Sequence, residues 1–144
     1  MTPRDRAVGK VQPIGPTERS RRIVKRGNGW QIGWDPDAAE FCGLVGDDRW
    51  AIELTAAEFG DFCRLTQQVA DTLRAIAAEL MEAERVACEV SSRTLWLEAE
   101  GFPDRYTLQM ILESGRRCEA FWDEAAAREL TAAARTLRVF SGAA

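Results

Sequence analysis

Set against itself so that Trp50 falls on Cys118, the sequence also places Ile52 on Ala120, Leu54 on Trp122, Thr55 on Asp123 and Phe62 on Leu130. Both stretches read as an alternating strand, a capping residue and then a helix. The match, one of pattern more than identity, points to two similar strand-rich units, each closed by a helix lying across a sheet. Strand runs joined by short turns make the sheet antiparallel, apolar under the helices and polar on its open face. The fold class is α+β.

The first unit is legible turn by turn. From Arg22 to Trp34 the residues alternate in two bursts around Gly27-Asn28-Gly29, with Trp30, Ile32 and Trp34 on one face, which predicts a hairpin. Asp35-Pro36-Asp37 ends the strand. A third apolar burst, Phe41 to Val45, precedes the turn Gly46-Asp47-Asp48, and Arg49 to Leu54 forms a fourth strand with Trp50, Ile52 and Leu54 facing one way and Ala51 and Glu53 the other. Thr55 and Glu58 make a T-x-x-E capping box. Phe59, Phe62, Thr66, Val69, Leu73, Ile76 and Leu80 then recur at alternating spacings of three and four, a core-facing stripe on a helix of about 28 residues. The run is too short in heptads, and too aromatic at its start, for a coiled-coil seam.

The second unit shows strand signals at Glu89 to Glu100, Tyr106 to Glu113 and Arg117 to Trp122, separated by turns at Gly101-Phe102-Pro103-Asp104 and Ser114-Gly115. Asp123 caps a helix from Glu124 to Arg138, with Leu130, Ala134 and Leu137 on one face. Residues 1–20, carrying Pro3, Pro13 and Pro16 without periodicity, read as a mobile basic arm. The single domain is then 21–140, with 141–144 a tail.

Composition narrows the chemistry. The 144 residues are 46% hydrophobic and 29% charged, as in a globular domain, and they include no histidine. That removes the usual general base, the Ser/His and Cys/His nucleophile pairs and the commonest metal ligand. Cys42, Cys63, Cys88 and Cys118 form no C-x-x-C pair, so reduced cysteines filling core space are expected, with no metal and no cofactor. No apolar run approaches the roughly 18 residues of a membrane span, and MTPRDRAVGK lacks a signal peptide's apolar stretch, so the expected location is cytoplasmic.

Charge is unevenly spread. Residues 1–26 hold eight basic residues against Asp5 and Glu18, while the rest of the chain is acidic. A basic arm on an acidic body suits contact with phosphate or an acidic partner, and equally suits a solubilising tail.

Several runs carry a resemblance. Gly29-Trp30-Gln31-Ile32-Gly33-Trp34-Asp35-Pro36, Arg49-Trp50-Ala51-Ile52-Glu53-Leu54-Thr55 leading into Glu58-Phe59 and Asp61-Phe62-Cys63-Arg64-Leu65, then Leu95-Trp96-Leu97-Glu98-Ala99-Glu100-Gly101-Phe102-Pro103 and Gly115-Arg116-Arg117 resemble the cyanobacterial domain-of-unknown-function family 1818 over residues 21–140. The resemblance implies a fold like that of the Whirly-type single-stranded-DNA-binding transcriptional regulators, a ββββα-ββββα arrangement. It implies no activity and no site residues, and fold analogy alone does not assign function.

Alternation predicts the open face. If Trp50, Ile52 and Leu54 point under a helix, Gln31, Arg49, Ala51 and Glu53 point out; likewise Thr94, Trp96, Glu98 and Glu100, and Arg117, Glu119 and Phe121. Glu53, Glu98, Glu100, Glu113 and Glu119 would then gather there and repel phosphate. Glu98 and Glu100, about 7 Å apart on one strand, match the spacing of paired acid/base groups, but no nucleophile motif or phosphate-cradling loop accompanies them, so the expectation is not an enzyme. The leading expectation is a non-catalytic binding or adaptor module contacting a protein partner or a second copy of itself through Trp96, Phe121, Glu53, Glu98 and Glu100. The alternative is a single-stranded DNA or RNA binder, with Arg19, Arg21, Arg22, Lys25 and Arg26 on phosphates and Trp30 or Trp34 stacking on bases. Ile32 shares their face, which favours the core for both tryptophans.

Overall fold

The computed structural model describes residues 21–79 and 84–141. The expected mobile arm, with Arg19, and stripe member Leu80 lie outside the described residues. Chain order is β1 (Ile23–Gly27), β2 (Trp30–Trp34), β3 (Gly43–Gly46), β4 (Ala51–Leu54), α1 (Ala56–Ala77), β5 (Val86–Ser91), β6 (Leu95–Phe102), β7 (Arg105–Leu112), β8 (Cys118–Trp122) and α2 (Glu124–Ser141). The α+β arrangement with four strands and a helix in each half stands as the sequence indicates.

Each half forms its own antiparallel meander, β1-β2-β3-β4 and β5-β6-β7-β8. Asn28-Gly29 joins β1 to β2, with Gly29 at φ 84°, a conformation open to glycine. The run expected as one strand from Glu89 to Glu100 is two strands. Its turn, Ser92-Arg93-Thr94, contains no glycine, proline or asparagine, and forms because the Ser92 hydroxyl accepts from the backbone N–H of Thr94 at 3.1 Å and of Leu95 at 3.3 Å.

Both helices are capped as their sequences dictate. Thr55 Oγ1 accepts from Glu58 N at 3.2 Å while Glu58 Oε1 accepts from Thr55 N at 2.9 Å, and Asp123 Oδ1 accepts from Ala126 N at 3.0 Å. At 22 residues α1 is shorter than the stripe suggests: Ile76 is only half-buried, and the buried stripe ends at Leu73.

The helices unite the halves. α1 packs on β5 and β6 as well as β3 and β4, and α2 packs on β1 and β2 as well as β7 and β8. One core results, with Ile32, Val45 and Leu54 from the first sheet, Leu97, Leu108 and Trp122 from the second, and Phe59, Phe62, Leu130 and Leu137 between them. Trp122 Nε1 donates to Gly46 O at 2.9 Å, and its ring lies 5.7 Å from Trp50 and 6.0 Å from Phe62. Gly43 is bare where α1 crosses β3: a Cβ there would lie 2.4 Å from the Phe59 ring. Of the cysteines, Cys63 is buried and the other three are half-buried; all four are unpaired. Among the described residues, no helix is long and apolar enough to cross a membrane.

Candidate functional site

Each sheet has one face on the helices and one face open. On the second sheet, Leu95, Leu97 and Ala99 of β6, Tyr106, Leu108, Met110 and Leu112 of β7, and Ala120 and Trp122 of β8 are buried, so the alternate residues face out. The register sets them in rows: Ser91, Trp96, Ile111 and Glu119 in one, Glu89, Glu98, Gln109 and Phe121 in the next. Trp96 and Ile111 are therefore direct neighbours and Phe121 lies on the diagonal from Ile111, the three spanning about 10 Å across three strands at the usual strand spacing. Phe121 is 56% exposed, the one large apolar side chain so open among the described residues.

The glutamates surround this diagonal. Glu98 and Glu100 lie where alternation puts them, and Glu89, opposite Glu98, joins them. Trp96 Nε1 donates to Glu89 Oε1 at 3.0 Å, which holds the indole across β5 and β6. Arg85 approaches Glu100 at 3.7 Å, whereas Glu98 and Glu119 have no ion-pair partner among the described residues. Like charges directly opposite on a sheet are destabilising.

One expectation fails here. The chain has two sheets, so Glu53 faces out from the first sheet, opposite Leu44, and shares no surface with Glu98 and Glu100. Glu113, one residue past β7, is exposed next to buried Leu112, and its N–H donates to Thr94 O at 2.7 Å. Glu89 joins the open face only because the Ser92 turn separates β5 from β6, and Ile111 becomes visible only once β6 and β7 are in register.

The first sheet's open face carries the alternative's residues, but not as a flexible arm. Arg22, Val24 and Arg26 line a groove of about 340 Å³ with Gln31, Gly33 and Leu44. Arg22 and Arg26 form no ion pair among the described residues. Arg21 instead lies 3.6 Å from Asp37, and Lys25, paired with Ile32, sits on the helix-facing side of β1. Trp30 is buried with Nε1 donating to Glu129 Oε1 at 2.8 Å, and the half-buried Trp34, which also lines the groove, packs on Phe59 at 5.2 Å. Phe41 at the groove's edge is covered by the Arg116 guanidinium, 4.8 Å from its ring centre.

Two polar clusters at the start of α1 fix the second sheet's turns. Asp61 Oδ2 accepts from Ser92 Oγ and Thr94 Oγ1, each at 2.7 Å, and Asp61 Oδ1 accepts from Arg64 at 3.1 Å. Partial burial raises the Asp61 pKa, but the two hydroxyls and Arg64 outweigh it and hold the carboxyl below its ordinary value. This cluster places the entry to β6, and so Trp96. Glu58, 4% exposed, accepts from Ser114 and Arg116, while Arg116 also donates to Glu53 O at 2.9 Å. That second cluster places the entry to β8, and so Phe121. Burial pushes the Cys63 thiol up to about 12, leaving it inert as a nucleophile. Among the described residues no group of three or more His, Cys, Asp or Glu side chains is placed to hold a metal ion.

The domain-of-unknown-function family DUF1818 matches residues 25–137, the span of both sheets and most of α2. The chain belongs to this family. A crystal structure of a protein with unknown function from the DUF155 family of Prochlorococcus sp. NATL2A is similar to this DUF1818 chain with a TM-score of 0.74 and 27% identity, covering 80% of this chain and 97% of that one. No curated protein matches.

Proposed function

We propose that this DUF1818 protein is a non-catalytic, cytoplasmic binding module that docks a protein surface on the open face of its second sheet. The observation that carries the reading is the apolar diagonal of Trp96, Ile111 and Phe121 set among Glu89, Glu98, Glu100 and Glu119. Glu89 and Glu98 repel each other across β5 and β6, and a partner's lysine or arginine relieves that repulsion. An aromatic anchor ringed by charge is the usual anatomy of a contact patch. The partner therefore carries an apolar centre with a basic rim. A second copy is one such partner, because the first sheet's open face presents Arg22 and Arg26 beside Val24 and Leu44, with Glu53 on the same face. The unpaired cysteines suit a reducing compartment.

Sedimentation velocity and quantitative pull-down from the native cell, with and without nuclease, test this for wild type and for Trp96→Ala with Phe121→Ala. Loss of self-association or of a nuclease-resistant partner supports it. Unchanged association in the folded double variant refutes it.

A second reading, single-stranded nucleic-acid binding on a Whirly-like fold, draws support from Arg22 and Arg26 flanking the first-sheet groove. It is the weaker reading because Trp30, Trp34 and Phe41 are all engaged within the domain. A salt-sensitive oligonucleotide titration signal lost in Arg22→Gln with Arg26→Gln would favour it over protein docking.

A further inference from the structure

We propose that the groove between α1 and α2 binds a phosphate-bearing anion, held by Arg128 and Arg135. The groove encloses about 340 Å³; Arg74 of α1 faces it from one side, Arg128 and Arg135 of α2 from the other, and Asp104 in the β6–β7 turn closes one end. That volume is at the small end of ligand cavities. It suits a phosphate or diphosphate group with a compact substituent.

Charge and position together mark the two α2 arginines. Seven of the fourteen arginines of the described residues face a carboxylate: Arg21, Arg49, Arg64, Arg74, Arg85, Arg105 and Arg116. Among the described residues Arg128 and Arg135, like Arg22, Arg26, Arg93 and Arg117, form no ion pair, and these two share the groove between the helices. Seven residues apart, they lie two turns along the same helix face, about 10.5 Å in rise. Ala132 between them leaves open space in place of a side chain that would separate or neutralise them. Each guanidinium offers bidentate donors to the oxygens of an anion lying in the groove.

The groove's walls are fixed. Tyr106 and Thr131, which line it, are 3% and 4% exposed, and Thr131 O accepts from Gln67 Nε2 of α1 at 3.0 Å. The site is therefore formed before ligand arrives. It lies between the helices, apart from both open sheet faces, so its occupancy is independent of docking there.

Calorimetric titration of the full chain at low salt, with pyrophosphate and separately with a thymidine tetranucleotide, tests the assignment. Arg128→Gln with Arg135→Gln keeps good helix formers at exposed positions and should weaken binding at least tenfold with little change in thermal melting. Asp104→Asn should strengthen it a few-fold, and Arg22→Gln with Arg26→Gln should leave it within twofold. Binding of pyrophosphate assigns the phosphate to a free small molecule. Binding of the tetranucleotide alone, with the same tenfold loss, assigns it to a strand. No heat from either probe at millimolar concentration, or equal weakening by the two arginine pairs, overturns the proposal.

Discussion

Replacing Phe121 by alanine separates docking from folding. The side chain has roughly 200 Å² of surface, and the residue is 56% exposed, so about 110 Å² is free to be covered by a partner. At ~25 cal/mol per Å² this is about 2.8 kcal/mol, or about a hundredfold in Kd. Folding loses much less. The exposed ring makes little of the core, and a strand substitution of this kind costs at most about 1 kcal/mol. Sedimentation equilibrium or quantitative pull-down gives the first quantity, and chemical denaturation the second. If the affinity of Phe121→Ala stays within threefold of wild type, Phe121 is not an anchor and the second sheet's open face is not the docking surface.

Three further outcomes follow from the packing. Trp122→Phe leaves the buried Gly46 carbonyl without its donor and should cost about 1–3 kcal/mol while unfolding remains a single transition, because both halves share one core. Gly43→Ala drives a methyl into the Phe59 ring and should cost roughly 1–3 kcal/mol by denaturation. Asp61→Asn removes a carboxylate whose folded pKa is depressed. The wild-type advantage, about 1–2 kcal/mol, should be complete above the unfolded pKa near 3.9 and disappear as pH falls through the folded pKa. Denaturation of both proteins between pH 7 and pH 2 measures it, and a gap that widens on acidification contradicts the Asp61 account.

What was readable in the sequence is what local chemistry decides. The Thr55–Glu58 capping box, the Asp123 cap and the two-residue hairpin turn each depend on neighbours a few positions apart. The alternation of Trp50, Ile52 and Leu54 reports the helix-covered face directly. The Ser92 turn was hidden because serine and threonine hydroxyls close it in place of glycine or proline. Missing it merged β5 with β6 and concealed Glu89. Glu53 was grouped with Glu98 and Glu100 because alternation assigns a face within a strand but not the sheet to which that strand belongs. Lys25 and Arg26 are adjacent in sequence, yet the pleat sends one toward the helices and one out. The Arg74, Arg128 and Arg135 groove is wholly tertiary, assembled from two helices that bear no common sequence signal for it.

Hydroxyl-radical footprinting of side chains, on the purified dilute chain and on the same chain in native cell extract, tests the docking surface most directly. Trp96 and Phe121 should lose most of their reactivity in extract, while half-buried Ile76 of α1 keeps its own. Undiminished labelling of Trp96 and Phe121, with protection at Val24 and Leu44 instead, would place the partner on the first sheet and contradict the account.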